Sequence, residues 1–151
     1  MKGAILIIDD EKDIVKSMEY LLQDYVDEIH TAYNGKDAIE IITATNLHCI
    51  VCDIKMPGMT GIDVLKEVRR RKIEIPFIFY TAFGQQDLML EALKYGAFDF
   101  VTKPNYEGLE VIVQKALRAG LGIVEGESSV ERNDDMITEY AKMLKEKKTT
   151  S

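Results

Sequence analysis

Acidic, hydroxyl and basic side chains stand where hydrophobic runs end, at four points of this 151-residue chain. They are, in chain order, Asp9 with Asp10, Asp53, Thr81 and Lys103. If the runs are strands of a parallel sheet, all of these residues lie at carboxyl ends, the edge where such sheets bind ligands. Any one of them alone is most simply a solvated loop residue. Their recurrence at the same kind of position predicts a shared site.

Three carboxylates in one crevice require a cation. At roughly 4 Å and an effective dielectric of about 20, each pair repels by about 4 kcal/mol. A set of oxygen ligands with room for water suits Mg²⁺. The lysine would neutralise phosphoryl oxygens, and the hydroxyl with neighbouring backbone N–H groups would donate hydrogen bonds to them. Asp53, at the centre, is then the expected nucleophile for a phosphoryl group.

Strand-like and helical patterns alternate along the chain and supply the elements that position these residues. The pattern predicts an α/β fold, a doubly wound five-stranded parallel sheet with five helices on its two faces. Strands are predicted at 4–8, 28–33, 48–53, 76–82 and 98–104, and helices at 12–26, 36–45, 61–71, 85–96 and 107–120. In the second helix, Ala38, Ile41 and Ile42 are predicted to face inward.

Composition excludes several classes of function. The apolar content of 46% suits one ordinary core, and the net charge of −7 argues against nucleic acid or an anionic membrane as the main partner. Neither a signal-peptide core nor an apolar stretch near 18 residues is visible, so we expect a cytoplasmic protein without membrane insertion.

Cys49 and Cys52 form a C-x-x-C pattern, which is typical of redox or metal sites. Residues three apart in a strand point to opposite faces of the sheet, however. We therefore interpret both cysteines as structural.

The character of the sequence changes after Gly120, which predicts a domain over 1–120 and an extension over 121–151. That extension reads as a linker followed by an amphipathic helical tail, with Asn133 as N-cap. Its narrow apolar stripe comprises Ile137, Tyr140, Ala141 and Leu144. The tail either folds against its own domain or contacts a partner or a second copy; both alternatives stay open.

Four segments together carry a resemblance to a known family. They are "IIDDEKD", "CDIKMPGMTGIDVLKEVR", "IFYTA" and "GAFDFVTKP". Over about residues 3 to 120 the chain resembles the receiver domains of two-component response regulators, including the small single-domain chemotaxis regulators. The resemblance implies the flavodoxin-like receiver fold with strand order 2-1-3-4-5.

The resemblance also implies a division of roles at the site. Asp53 accepts a phosphoryl group from a phosphohistidine on a sensor histidine kinase or phosphotransfer protein, and is itself a metal ligand. Asp10 ligates Mg²⁺ directly and Asp9 more often through water, with the backbone carbonyl of Lys55 as a further ligand.

Further implied roles fall on the last two strand ends. Lys103 pairs with phosphoryl oxygens, and its bond to Pro104 is expected to be cis. Thr81 swings its hydroxyl to the phosphoryl group, beside Ala82, whose small side chain leaves room for the group. Phe100 then turns inward and alters the surface of helix four, strand five and helix five. The plain alternative for Phe100 is a core residue.

Four positions depart from the common family pattern or vary within it. Phe100 stands where many members have Tyr, and Asn105 where Phe is common. We hypothesise that Lys55 and Phe83 hinder the attacking water and lengthen the phosphorylated lifetime.

Other classes of function fit less well. A phosphatase of the haloacid dehalogenase type carries D-x-D, whereas Asp9 and Asp10 are adjacent, and neither nucleotide-binding glycine motif is present. We therefore expect no enzyme beyond catalysis of its own phosphorylation and dephosphorylation. The alternative is a phosphorylation-independent interaction module of the same fold. A downstream protein target or output domain is expected, and a phosphorylation-dependent homodimer is left open.

Overall fold

The fold follows from five hydrophobic runs that are buried by helices on both sides. The computed structural model describes residues 1–82 and 84–123, with only the backbone described at residue 86. Five strands form one parallel sheet in the order β2-β1-β3-β4-β5, which confirms the fold class and the order. The strands are β1 Ala4–Ile8, β2 Glu28–Ala32, β3 Cys49–Cys52, β4 Phe77–Thr81 and β5 Asp99–Thr102. The helices are α1 Lys12–Leu22, α2 Gly35–Ala44, α3 Gly61–Arg70, α4 Gln86–Lys94 and α5 Tyr106–Gly120.

Side-chain alternation along the strands divides the core into two clusters. One face of the sheet packs against α2, α3 and α4, and the other packs against α1 and α5. We call these the α2/α3/α4 cluster and the α1/α5 cluster. Cys49 belongs to the α1/α5 cluster and Cys52 to the other, and both are free thiols. The prediction of structural cysteines on opposite faces is confirmed, and burial raises the pKa of both thiols.

Side-chain caps fix where several helices begin at the carboxyl edge of the sheet. Thr60 and Asp63 form a reciprocal capping box at the start of α3, with bonds of 3.0 and 3.2 Å. The Asn105 side chain accepts a hydrogen bond from the Gly108 N–H at 2.9 Å and caps α5. The departure at position 105 therefore serves as a helix cap.

Some predicted details were wrong. The first helix ends at Leu22 rather than at residue 26, because a short 3₁₀ turn over Gln23–Tyr25 follows it. In α2, the predicted inward residues Ala38 and Ile42 are buried and Ile41 is half-buried against the same cluster, but the buried Ile39 was missed. Packing of α2 against α3, β1 and β2 covers Ile39 as well.

Parts of the prediction lie outside the described residues. These are the tail helix, nearly all of the linker, and Phe83 with its proposed effect on lifetime. Among the described residues, no helix has the length and apolar character needed to span a membrane.

Candidate functional site

The predicted site residues converge at the carboxyl edge of the sheet. Asp9 follows β1 and is fully buried, whereas its neighbour Asp10 is exposed. Asp53 follows β3 and is 9% exposed. One oxygen from each of these three carboxylates lies within 4.8 Å of the others. The sequence-based prediction of a carboxylate cluster is therefore met in the geometry.

Thr81 and Lys103 each engage one oxygen of the Asp53 carboxylate. The Thr81 hydroxyl, buried at the end of β4, donates to Asp53 Oδ1 at 2.9 Å. Lys103 Nζ donates to Asp53 Oδ2 at 3.3 Å and to Asp9 Oδ2 at 2.7 Å. The Asp53 carboxylate is thus held between a hydroxyl and an ammonium group.

Backbone hydrogen bonds hold the strand ends in register. The Asp53 N–H donates to the carbonyl of Ile8 at 2.9 Å, and the Lys103 N–H donates to the carbonyl of Thr81 at 2.8 Å. The bond between Lys103 and Pro104 is cis, as the resemblance implied. Neighbouring strands therefore present their polar side chains at one level.

One positive charge faces three negative charges in the cluster. Burial raises the pKa of the Asp9 carboxyl, although hydrogen bonds from Lys103 and from the Glu11 N–H oppose the shift, and the charge of Asp53 adds to it. Burial acts to lower the pKa of Lys103, but its bond to Asp9 and the charges of Asp53 and Asp9 raise it overall. The ammonium group therefore stays charged, while the carboxylates carry an excess of negative charge that favours a cation.

The donor set fits Mg²⁺. It is made of carboxylate oxygens, and the exposed Asp10 leaves the cluster open to water. Magnesium keeps several waters and takes one or two carboxylates in such sites. Lys55 lies in the exposed loop two residues after Asp53, so the role of its carbonyl as a ligand stays a prediction.

The remaining site residues stand as follows. Ala82 is exposed directly after Thr81, and the room that its small side chain would leave for a phosphoryl group stays a prediction. Phe100 is half-buried against the α2/α3/α4 cluster, and its switch role stays a prediction.

Gly61 is a residue beside the site that sequence reasoning missed. A Cβ atom built there would lie 2.1 Å from the backbone carbonyl oxygen of Asp53 and 3.0 Å from the Phe79 ring. Its N–H also donates to the carbonyl of Ile54 at 2.8 Å, which closes the loop after β3. Glycine at the first position of α3 is the signal that was available, because a helix start gains nothing from glycine. By contrast, Gly58, with φ of +77°, is the turn residue expected from its position.

Comparison with known proteins decides the family. The sequence profile described as "Response regulator receiver domain" matches residues 5–116. The chain belongs to this family. Its assignment to two-component signalling follows from that membership.

Two curated relatives match this chain at the same identity over different lengths. The regulatory protein AtoC of Escherichia coli (strain K12) is 39% identical over 119 residues, which are 77% of this chain and 25% of AtoC. The response regulator SaeR of Staphylococcus aureus (strain USA300) is 39% identical over 100 residues, 66% of this chain and 43% of SaeR. The receiver chain therefore spans less than half the length of either relative.

Solved receiver structures superpose well. A response regulator receiver domain protein from Clostridium thermocellum has a TM-score of 0.74 at 28% identity, covering 81% of this chain and 99% of that one. Full-length FixJ from B. japonicum has a TM-score of 0.73 at 29% identity, covering 80% of this chain and 60% of FixJ. The likeness thus covers a whole receiver domain and only part of the longer regulator.

Proposed function

We propose that this receiver domain accepts a phosphoryl group on Asp53, with Mg²⁺ bound by the neighbouring acids. The observation that carries the proposal is the Asp53 carboxylate, held at 2.9 Å by the Thr81 hydroxyl and at 3.3 Å by the Lys103 ammonium group. A hydroxyl and a cation on the two sides of the carboxylate suit a phosphorylated Asp53. The phosphoryl oxygens are negatively charged, so they accept hydrogen bonds from the hydroxyl and are neutralised by the cation.

The transfer is a nucleophilic displacement at phosphorus. A carboxylate oxygen of Asp53 forms the new O–P bond, and the P–N bond of the phosphohistidine breaks, its electron pair staying on the imidazole nitrogen. Each Asp53 oxygen accepts one hydrogen bond in the structure and keeps a further lone pair, so either oxygen can attack while Thr81 and Lys103 still donate to the carboxylate. Both donors can follow the phosphoryl oxygens once the bond has formed.

The metal ligands proposed are Asp9, Asp10, Asp53 and the backbone carbonyl of Lys55. Bound Mg²⁺ would neutralise charge on the transferring group and fix its orientation. Lys103 and the N–H of Ala82 complete the phosphoryl contacts. The catalysis proposed extends only to the protein's own phosphorylation and dephosphorylation.

The output proposed is a shift between two conformations. Thr81 is drawn toward the phosphoryl group, Phe100 turns inward, and the surface of α4, β5 and α5 changes. Such a shift is driven only by the difference in phosphoryl affinity between the two states. The partners proposed are a sensor histidine kinase or phosphotransfer protein and a downstream protein target or output domain. The similarity to SaeR, a response regulator, supports this proposal.

The test is the chemistry of the product. The protein is incubated with a small acyl phosphate and Mg²⁺, and the bound phosphate is then exposed to hydroxylamine. An aspartyl phosphate is an acyl phosphate, so hydroxylamine should release the phosphate and leave a hydroxamate at Asp53. Phosphate that resists hydroxylamine, or that maps elsewhere in the chain, would refute the proposal.

A further inference from the structure

Tyr80 lies directly beneath the site and has no part in the chemistry proposed above. It is 1% exposed, in β4, one residue before Thr81. Because successive strand residues face opposite ways, its ring enters the α1/α5 cluster. From there it reaches Lys103, whose Nζ lies 5.8 Å from the centre of the Tyr80 ring.

The phenol group of Tyr80 does not explain its presence. Its hydroxyl is buried with no hydrogen-bond partner among the described residues. Burial raises the pKa of the phenol to about 12, so it stays neutral. The contact with Lys103 is made by the ring, and phenylalanine at this position would keep it. We therefore assign any effect of Tyr80 on the site to its ring.

A second aromatic ring packs against Tyr80. The ring of Tyr106, at the start of α5, lies 6.2 Å away between centroids and is tilted by 48°. Tilted aromatic pairs at this separation attract each other. The contact with Tyr106 therefore helps to hold the Tyr80 ring in place.

Lys103 also needs a contact that holds it in place. Its four-carbon stem is flexible, and its ammonium group is a point charge that water solvates strongly. The contacts to Asp9 at 2.7 Å and to Asp53 at 3.3 Å are unequal, so the ammonium group leans toward Asp9. The negative face of an aromatic ring attracts a cation within about 6 Å. Attraction to the Tyr80 ring therefore opposes movement of the Lys103 ammonium group either into solvent or fully onto Asp9.

We propose that Tyr80 is a positioning residue of the phosphorylation site, and that its ring, supported by Tyr106, holds the Lys103 ammonium group between Asp9 and Asp53. The consequence for phosphorylation rests on the proposed function, in which Lys103 meets the phosphoryl oxygens. The positioning itself can be tested without it.

The test compares Tyr80→Phe, which keeps the ring, with Tyr80→Leu, which removes it. Phe77→Leu is the matched control, since Phe77 is a fully buried aromatic residue of β4 that packs on the opposite face against Phe79. The first readout is the nuclear magnetic resonance signal of the Lys103 ε-methylene group in metal-free protein, which a ring below it shifts upfield. The second is the affinity for beryllofluoride, a phosphoryl mimic, with Mg²⁺ present.

We expect Tyr80→Phe to match the wild type in both readouts. In Tyr80→Leu the Lys103 signal should move to the position of a lysine without a ring neighbour, and beryllofluoride affinity should fall by about two- to fivefold. Phe77→Leu should lose stability without either change. If Tyr80→Leu does not fold, Tyr106→Leu, at a partly exposed position, should move the Lys103 signal the same way by a smaller amount.

Three results would overturn the proposal. Loss of affinity in Tyr80→Phe would assign the effect to the hydroxyl. If Phe77→Leu changed the Lys103 signal and the beryllofluoride affinity as much as Tyr80→Leu, the effect would be one of core packing. An unmoved Lys103 signal in a folded variant without the ring or its support would show that the ring does not hold the ammonium group. If wild-type protein binds no beryllofluoride, the proposed function fails while the Lys103 signal still decides the positioning.

Discussion

Replacing Gly61 with alanine tests whether the turn after β3 sets the position of Asp53. The added Cβ would lie 2.1 Å from the Asp53 carbonyl oxygen, roughly 1 Å inside a tolerable contact. The atom it meets is backbone, so relief requires movement of Asp53 itself or of the start of α3. We therefore predict that this one methyl group weakens both the fold and the phosphorylation reaction.

Two opposing effects set the size of the loss in stability. Alanine is favoured over glycine in a helix by about 1 kcal/mol, and Gly61 is the first residue of α3. Overpacking costs about 1–3 kcal/mol, and contact with rigid backbone lies at the upper end. The difference predicts a net destabilisation of about 2 kcal/mol, or a melting temperature lower by roughly 4–8 °C. For the reaction, a misplacement of about 1 Å predicts a rate lower by up to about a hundredfold.

Gly58→Ala is the matched control in the same loop. Gly58 has φ of +77°, which strains alanine by about 1–2 kcal/mol, yet nothing lies within 4 Å of the added Cβ. Thermal unfolding followed by circular dichroism measures stability, and initial phosphorylation by a small phosphodonor with Mg²⁺ measures the reaction. Both variants should melt earlier, and only Gly61→Ala should react slowly. Wild-type stability and rate in Gly61→Ala, or equal slowing in Gly58→Ala, would refute the reasoning.

Three further substitutions give separate tests. Asp9→Asn should raise the melting temperature of the metal-free protein at neutral pH, because burial raises the pKa of Asp9 and its ionisation therefore opposes folding. The gain should vanish below pH 3.8, the ordinary pKa of the carboxyl group, and a constant gain at all pH values would contradict this reasoning. Thr81→Val should slow phosphorylation and Thr81→Ser should not, because only serine keeps a hydroxyl group that can donate to Asp53. Equal rates for the two variants in steady-state assays would contradict a role for the hydroxyl group. His48→Leu should lower the free energy of unfolding in urea by about 1–3 kcal/mol, because His48 Nδ1 accepts a hydrogen bond from the buried Ala4 N–H at 3.0 Å. His48→Asn should lower it less. Neither variant should alter phosphorylation, and a loss of phosphorylation would contradict a purely structural role.

Local patterns were sufficient to predict the α/β class and the edge of the sheet where the site lies, whereas the strand order came from the family resemblance. Hydrophobic runs predict the strands, and a polar residue at the end of a run marks the carboxyl end of that strand. This holds whatever the position of the strand in the sheet. That is why Asp9, Asp53, Thr81 and Lys103 could be placed at one edge before any contact was known. Strand alternation similarly placed Cys49 and Cys52 on opposite faces.

The features that were missed depend on contacts between distant segments. Gly61 matters because the loop after β3 folds back onto the carbonyl of Asp53, a path that no periodicity encodes. Alternation gives the face that Tyr80 occupies, but the position of Lys103 above its ring follows only from the packing of β5 beside β4. The burial of Ile39 in α2 likewise depends on the elements that pack around this helix.

The most direct test of phosphorylation at Asp53 is the mass of the intact protein after incubation with a small phosphodonor and Mg²⁺. Asp53→Asn, which keeps the size of the side chain and removes its charge, is measured beside it. We predict that the wild type gains one phosphoryl group, and that the gain is lost in the variant and in the absence of Mg²⁺. No gain under any condition, or an equal gain in Asp53→Asn, would contradict the proposed function and favour a phosphorylation-independent interaction module.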